Sequence, residues 1–187
     1  MPMNLPNTLT WLRIALIPIF VGVFYLPDGM LAQGQINLIA TAIFALAAVT
    51  DGLDGYLARR FNQTSAFGAF LDPVADKLMV AAALIVLVDL ERANVYVAII
   101  IIGREIAISA LREWMARIGK DHSVAVSFVG KLKTAAQMAA ITLLLFHDPL
   151  PGFVHTQMAG RWLLDIAALL TLWSMLHYLR MAWRALR

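Results

Sequence analysis

The sequence predicts an all-α protein made of membrane-spanning helices. Of its 187 residues, 61% are hydrophobic and only 14% are charged, whereas about a quarter of a soluble domain is charged. The mean hydropathy is +0.75, and the apolar residues fall into runs near the length of about 20 that a transmembrane helix requires. Low-complexity tracts and a soluble second domain are absent from the pattern, so we expect one membrane domain over residues 1–187.

Apolar runs predict six transmembrane helices, at residues 8–26, 36–58, 70–89, 94–113, 127–146 and 161–182. The first run has no basic stretch ahead of it and no small-residue cleavage site after it, which favours a retained span over a signal peptide. We also expect a short interfacial helix at the N-terminus. The chain contains no cysteine, which excludes thiolate metal sites and cysteine nucleophiles.

Basic residues predict the orientation of these spans. One set of loops and ends carries Arg59, Arg60, Arg117, Lys120, Lys131, Lys133, Arg180, Arg184 and Arg187. The opposite set carries only Arg92 and Arg161. Because cytoplasmic loops are enriched in lysine and arginine, we expect the first set, both termini and the loop between the second and third spans to be cytoplasmic. The arginines of the last helix, with Tyr178 and Trp183, suggest an interfacial anchor for anionic lipid.

Four aspartates lie between the second and third apolar runs. The stretch "INLIATAIFALAAVT" before Asp51 has 15 residues and the uncharged run after Lys77 has 11, and at about 1.5 Å per residue neither crosses a membrane alone. Both helices must therefore extend into the segment "DGLDGYLARRFNQTSAFGAFLDPVADK". We expect the aspartates to lie on helices near the cytoplasmic membrane boundary.

The spacing of the aspartates predicts a metal site. Asp51 and Asp54 are three positions apart and Asp72 and Asp76 four apart, so each pair shares one face of a helix. Carboxylates at that depth require protons or cations, and Mg²⁺ or Mn²⁺ suits an all-oxygen site. Two such ions would form a clamp for displacement at phosphorus. The alternatives are that Asp72 caps a helix and that Asp54 pairs with Arg59.

The complete motif resembles that of a known enzyme family. The pattern D-x2-D-G-x2-A-R-x8-G-x3-D-x3-D occurs without departure and resembles the motif of the CDP-alcohol phosphotransferases, integral membrane enzymes of phospholipid synthesis. Its eight positions are Asp51, Asp54, Gly55, Ala58, Arg59, Gly68, Asp72 and Asp76. Through "GREIAISALREWM" and "SVAVSFVGKLKTAAQM" the second half is most similar to bacterial members that use CDP-diacylglycerol and sn-glycerol-3-phosphate.

The resemblance implies a homodimer in the bacterial inner membrane, with its active site facing the cytoplasm. It implies that the four aspartates hold two Mg²⁺ or Mn²⁺ ions and that Asp76 is the general base. The counterparts of Gly55, Ala58, Arg59 and Gly68 accommodate the CDP-lipid. The expected reaction gives phosphatidylglycerophosphate and CMP, without an organic cofactor or a nucleic-acid partner.

A phosphorylated acceptor requires a cationic pocket, for which four residues are candidates. Arg104 and Arg112 are eight positions apart on the fourth span, and Lys131 and Lys133 open the fifth. Arginine offers a fork for phosphate and lysine a point charge. The alternatives are that Arg104 pairs with Glu105 and that the lysines extend to the membrane surface.

Other functions remain open at the level of sequence. A cation transporter would also place aspartates in a membrane. Its carboxylates should be distributed through the depth of the bilayer, whereas these aspartates cluster at one membrane face. A membrane prenyltransferase would need more spans than this length supplies. Serine, inositol phosphate or choline could replace glycerol phosphate as acceptor.

Overall fold

The computed structural model describes residues 5–60, 66–119, 128–148 and 155–186, with side chains described at 8–51, 71–119, 132–148 and 155–184. In these ranges every regular element is an α-helix. The helices are α1 (Leu5–Val23), α2 (Gln33–Arg60), α3 (Ala66–Asp89), α4 (Val95–Arg117), α5 (Phe128–Phe146) and α6 (Thr156–Leu186). The all-α prediction is confirmed, and each of the six predicted spans corresponds to one helix.

The helix boundaries settle two expectations about local structure. The α3 helix begins at Ala66, so Asp72 and Pro73 lie inside it and the interpretation of Asp72 as a helix cap is wrong. The expected interfacial helix is not a separate element in the described part of the chain, because α1 runs unbroken from Leu5 to Val23. The α2 and α3 helices extend through the aspartate positions, as the short apolar runs required.

Within the described residues, two helices are long and apolar enough to cross a membrane, over Gln33–Asp51 and Thr156–Arg184. Shorter apolar helical stretches cover Thr8–Val23 and Leu132–Phe146. Large apolar side chains also point outward from the bundle, including Trp162, Trp173 and Trp183. An outward surface of this kind is typical of helices that face lipid.

The helices pack around a core of aromatic, aliphatic and small residues. Phe20 of α1 and Phe44 of α2 are fully buried, with ring centroids 6.4 Å apart. Leu84 of α3 and Leu144 of α5 continue this core. Fully buried alanines such as Ala83 let helix backbones approach closely, as in membrane bundles. The α1 helix packs on both α2 and α3, and this packing brings it to the aspartates.

Arg92, in the turn between α3 and α4, joins three parts of the bundle at the end away from the aspartates. Its guanidinium donates to the carbonyl oxygens of Leu144 at 3.2 Å and Leu145 at 3.1 Å, and to Asn37 Oδ1 at 2.8 Å. It thereby satisfies carbonyl groups in the last turn of α5, which lack partners within their own helix. Arg161 of α6 donates in turn to the carbonyl oxygen of Arg92 at 3.3 Å. Both basic residues of the predicted outer side thus bind backbone carbonyls.

Candidate active site

A cavity of about 550 Å³ lies between α1, α2, α3, α4 and α5. Among the predicted site residues with described side chains, the metal-ligand candidates Asp51, Asp72 and Asp76 line it, and so does the acceptor-binding candidate Arg112. The lining residues that carry polar chemistry are Arg13, Asp51, Asp72, Asp76, Lys77, Glu105, Arg112, Thr134 and Gln137. The predicted convergence of the motif aspartates from two neighbouring helices is therefore present for Asp51, Asp72 and Asp76.

Arg13 of α1 binds two of these aspartates, and the sequence interpretation missed it. Its Nη1 lies 2.9 Å from Asp51 Oδ1 and 2.6 Å from Asp76 Oδ1. The arginine side chain is 1% exposed, whereas the two carboxylates are 42% and 43% exposed. The cation is thus fixed inside the bundle while both carboxylates remain accessible from the cavity. A single arginine within an apolar run was the available signal, because an ionisable residue in a span is by default functional.

Thr10 lies one helical turn before Arg13 and binds a third motif aspartate. Its hydroxyl donates to Asp72 Oδ1 at 2.5 Å, and its side chain is 1% exposed. Residues three apart share a helix face, so a single face of α1 contacts Asp51, Asp72 and Asp76. The first helix is therefore part of the acidic site, although it carries none of the motif.

Lys77 and Glu105 are further charged residues that the interpretation did not assign. The Lys77 ammonium donates to Ser109 Oγ at 2.5 Å and links α3 to α4. Glu105 of α4 forms ion pairs with the ammonium of Lys133 and, at 3.3 Å, with Nη1 of Arg104. The cavity wall on this side therefore mixes cations with a carboxylate.

Arg104 and Lys133 stand behind the cavity wall. Both side chains are buried, and neither lines the cavity. Lys133 is 1% exposed and paired with Glu105, so the alternative interpretation that it extends to the membrane surface is wrong. The alternative pairing of Arg104 with Glu105 is present, and Ser174 Oγ also accepts a hydrogen bond from Arg104 Nη2 at 2.9 Å.

Arg112 is the predicted acceptor-binding residue that reaches the cavity. Its Nη2 donates to the hydroxyl of Tyr178 at 3.1 Å, and its Cζ lies 5.0 Å from the centre of that ring. Tyr178 is 1% exposed, so its assignment to an interfacial anchor is wrong. Trp183 is 63% exposed, and Arg180 and Arg184 are exposed as well.

The remaining predicted site residues lie outside the described side chains: Asp54, Gly55, Ala58, Arg59, Gly68 and Lys131. Among the described side chains, no three histidine, aspartate or glutamate residues are close enough together to hold a metal ion by themselves. The chemistry of the donors nevertheless fits a hard divalent cation, because Asp51, Asp72 and Asp76 present carboxylate oxygens to one cavity. Their fourth partner in the motif is Asp54.

Acidic and basic side chains thus surround one cavity in an all-helical bundle, an arrangement suited to an enzyme that transfers phosphorylated groups. The family model for CDP-alcohol phosphatidyltransferase matches residues 3–173, and the chain belongs to this family.

Individual relatives agree with the family match over almost the whole chain. A protein of Pseudomonas fluorescens named CDP-diacylglycerol–glycerol-3-phosphate 3-phosphatidyltransferase is 51% identical over 189 aligned residues, covering 99% of this chain and 93% of its own. Proteins of the same name from Escherichia coli K12 and Salmonella typhimurium LT2 are 50% and 49% identical. In both alignments the match covers 97% of this chain and 96% of the relative.

Proposed function

We propose that this chain transfers the phosphatidyl group of CDP-diacylglycerol to sn-glycerol-3-phosphate, giving phosphatidylglycerophosphate and CMP. The observation that carries the proposal is that Asp51, Asp72, Asp76 and Arg112 line one cavity. A carboxylate wall suits a cation-bound diphosphate, and an arginine on the same cavity suits an anionic acceptor. The names of the relatives agree with both substrates.

The acidic wall would bind the CDP-lipid with the help of divalent cations. Asp51, Asp54, Asp72 and Asp76 would hold two Mg²⁺ or Mn²⁺ ions, which neutralise the charge of the diphosphate when bound. Arg13 and Thr10 of α1 hold three of these carboxylates in place. From the motif resemblance we assign the accommodation of the CDP-lipid to Gly55, Ala58, Arg59 and Gly68.

The reaction proposed for this site is a displacement at phosphorus. A primary hydroxyl of glycerol phosphate attacks the phosphorus that carries the diacylglycerol, while the bond from that phosphorus to the bridging oxygen of CMP breaks. The bridging oxygen leaves with the bonding electrons on CMP. Asp76 takes the hydroxyl proton, because an alcohol needs a base within hydrogen-bond reach to attack at neutral pH. Binding both substrates in one cavity supplies orientation.

The phosphate of the acceptor is assigned to the basic side of the cavity. Arg112 contacts it directly, since Arg112 lines the cavity. Arg104 and Lys133 act from behind through Glu105, to which both are paired. Lys131 remains a further candidate for the same phosphate.

We further propose that residues 1–187 form one domain with six transmembrane spans in the bacterial inner membrane, active as a homodimer. The active site and both termini face the cytoplasm, as the distribution of basic residues predicts. The outward apolar surface and the two long apolar helices support the membrane location.

The decisive experiment is CMP release by the purified protein from CDP-diacylglycerol with Mg²⁺ or Mn²⁺. Glycerol-3-phosphate, serine and inositol phosphate are offered in parallel. We expect release with glycerol-3-phosphate alone and its loss in Asp72→Asn. Asp89→Asn, on the exposed far end of the same helix, is the matched control and should keep full activity. Release with another acceptor would overturn the assignment of glycerol phosphate, and no release with any acceptor would overturn the proposed transfer.

A further inference from the structure

Tyr178 of α6 lies against two of the arginines of α4, Arg104 and Arg112. The centre of its ring is 5.7 Å from Cζ of Arg104 and 5.0 Å from Cζ of Arg112. Both distances are within the range of about 6 Å over which the face of an aromatic ring attracts a cation. The phenol hydroxyl also accepts a hydrogen bond from Arg112. One buried side chain therefore interacts with two cations that are eight positions apart on the neighbouring helix.

Ser174, one turn before Tyr178 on α6, accepts a hydrogen bond from Arg104. Ser174 Oγ accepts from Arg104 Nη2 at 2.9 Å and donates to the carbonyl oxygen of Thr171 at 2.9 Å. Because residues four apart share a helix face, Ser174 and Tyr178 form a matched pair facing Arg104 and Arg112. The α6 helix thus fixes the direction of both guanidinium groups without lining the cavity itself.

Fixing Arg112 in advance should favour anion binding. A free arginine side chain loses about 2 kcal/mol of rotamer entropy when it is immobilised, and groups that are already ordered avoid that loss on binding. The guanidinium has five N–H donors, and the described contact with Tyr178 uses one of its nitrogens. The Arg112 side chain is therefore held at the cavity wall with donor capacity left for a phosphate.

We infer that Tyr178 is a positioning residue for the acceptor phosphate, acting through Arg112. The inference rests on the proposed function and adds a specific role for α6 in it. It separates the two substrates, because α6 packs on α4 and α5, whereas the motif aspartates lie on α2 and α3. Loss of the hydroxyl should therefore affect the acceptor and spare the CDP-lipid.

The test compares Tyr178→Phe, Tyr178→Leu and the wild type in steady-state CMP release. We expect Tyr178→Phe to raise the KM for glycerol-3-phosphate about tenfold, which corresponds to one lost hydrogen bond to a charged group. The kcat and the KM for CDP-diacylglycerol should not change. Tyr178→Leu, which also removes the ring, should raise the KM further. Inorganic phosphate, used as a competitive inhibitor, should bind more weakly in the same order.

Tyr96→Phe is the matched control, because Tyr96 is 73% exposed, lies in the first turn of α4 and does not line the cavity. An unchanged KM for glycerol-3-phosphate in Tyr178→Phe, or an equal change for both substrates, would overturn the inference. If Tyr178→Phe does not fold, Arg112→Lys replaces it, because this change removes the guanidinium that Tyr178 holds. An unchanged KM for glycerol-3-phosphate in Arg112→Lys would likewise overturn the inference.

The wild type distinguishes this inference from the proposed function. If the wild type uses a different phosphorylated acceptor, the assignment of glycerol-3-phosphate is wrong. The variants are then compared with that acceptor, which still tests the role of Tyr178. If the wild type accepts only an acceptor without phosphate, both fail.

Discussion

Arg13 on α1 and Asp76 on α3 form an ion pair of 2.6 Å although 63 positions separate them in the chain. The same Nη1 atom binds Asp51 of α2 at 2.9 Å. One nitrogen of a buried side chain therefore joins the two helices that carry the motif. Both contacts are with carboxylates, so the positive charge of Arg13 contributes to each of them.

Replacing Arg13 by glutamine should lower kcat at least about tenfold and the free energy of unfolding by about 2 kcal/mol, since hydrogen bonds to charged groups are lost. Arg13→Lys should retain more of both, because an ammonium keeps the charge. The measurements are CMP release and thermal unfolding followed by tryptophan fluorescence. Arg117→Gln is the control, since Arg117 is 74% exposed in its pair with Glu113. Equal losses for lysine and glutamine would contradict the role of the charge.

Arg92 should contribute to stability and not to catalysis. Arg92→Ala leaves two backbone carbonyls and the Asn37 side chain without this donor, and we expect a loss of about 2 to 4 kcal/mol in the free energy of unfolding. At temperatures where the variant is folded, its KM values should equal those of the wild type. Arg161→Ala, at an exposed position of the same face, should cost below about 1 kcal/mol. A change in KM with unchanged stability would contradict this assignment.

Gly160 allows α6 to pack closely on α5. A Cβ atom added at this position would lie 2.8 Å from Cγ of the buried residue Leu144. Gly160→Ala should therefore lower the free energy of unfolding by about 1 to 3 kcal/mol, the usual effect of overpacking. Gly103→Ala has no atom within 4 Å of the new Cβ and should be neutral or stabilising by up to about 1 kcal/mol. Equal melting temperatures for the two variants would contradict the close contact.

His147, which follows α5, should make the protein less stable in acid. Burial lowers the pKa of His147 below its ordinary value of 6.5, and the nearby Arg92 lowers it further. Gln157 Nε2 lies 2.9 Å from His147 Nε2, a contact in which the amide nitrogen donates and a neutral ring accepts. The unfolded chain then binds a proton at higher pH than the folded one.

Stability should consequently be constant above pH 6.5 and fall as the pH decreases from there toward the lowered pKa. Melting temperatures between pH 8 and pH 5 measure this effect. His147→Gln should show a smaller acid loss than the wild type, and His155→Gln, at an exposed position, should behave as the wild type does. Parallel curves for His147→Gln and the wild type would contradict the assignment.

The sequence was sufficient to locate Asp72 and Asp76 on a helix, because the apolar run after Lys77 was too short to cross a membrane without them. It was not sufficient to identify Arg13 as a partner of the motif aspartates, since the rotation of α1 about its axis is decided by packing on α2 and α3. For the same reason the sequence did not reveal that Tyr178 is buried. Its neighbours Leu176 and Leu179 are about half exposed, whereas Tyr178 is buried, and each step along a helix turns the side chain by about 100°.

The contacts of Arg13 also constrain the order in which the protein can be assembled. Its two aspartate partners are synthesised 38 and 63 residues later. During insertion the first helix therefore carries a charge whose observed partners do not yet exist, which is costly in a lipid environment. The nascent chain should hold α1 at the membrane surface or against the insertion machinery until α3 has emerged. A chain truncated before Asp76 would then be a substrate for quality-control proteolysis.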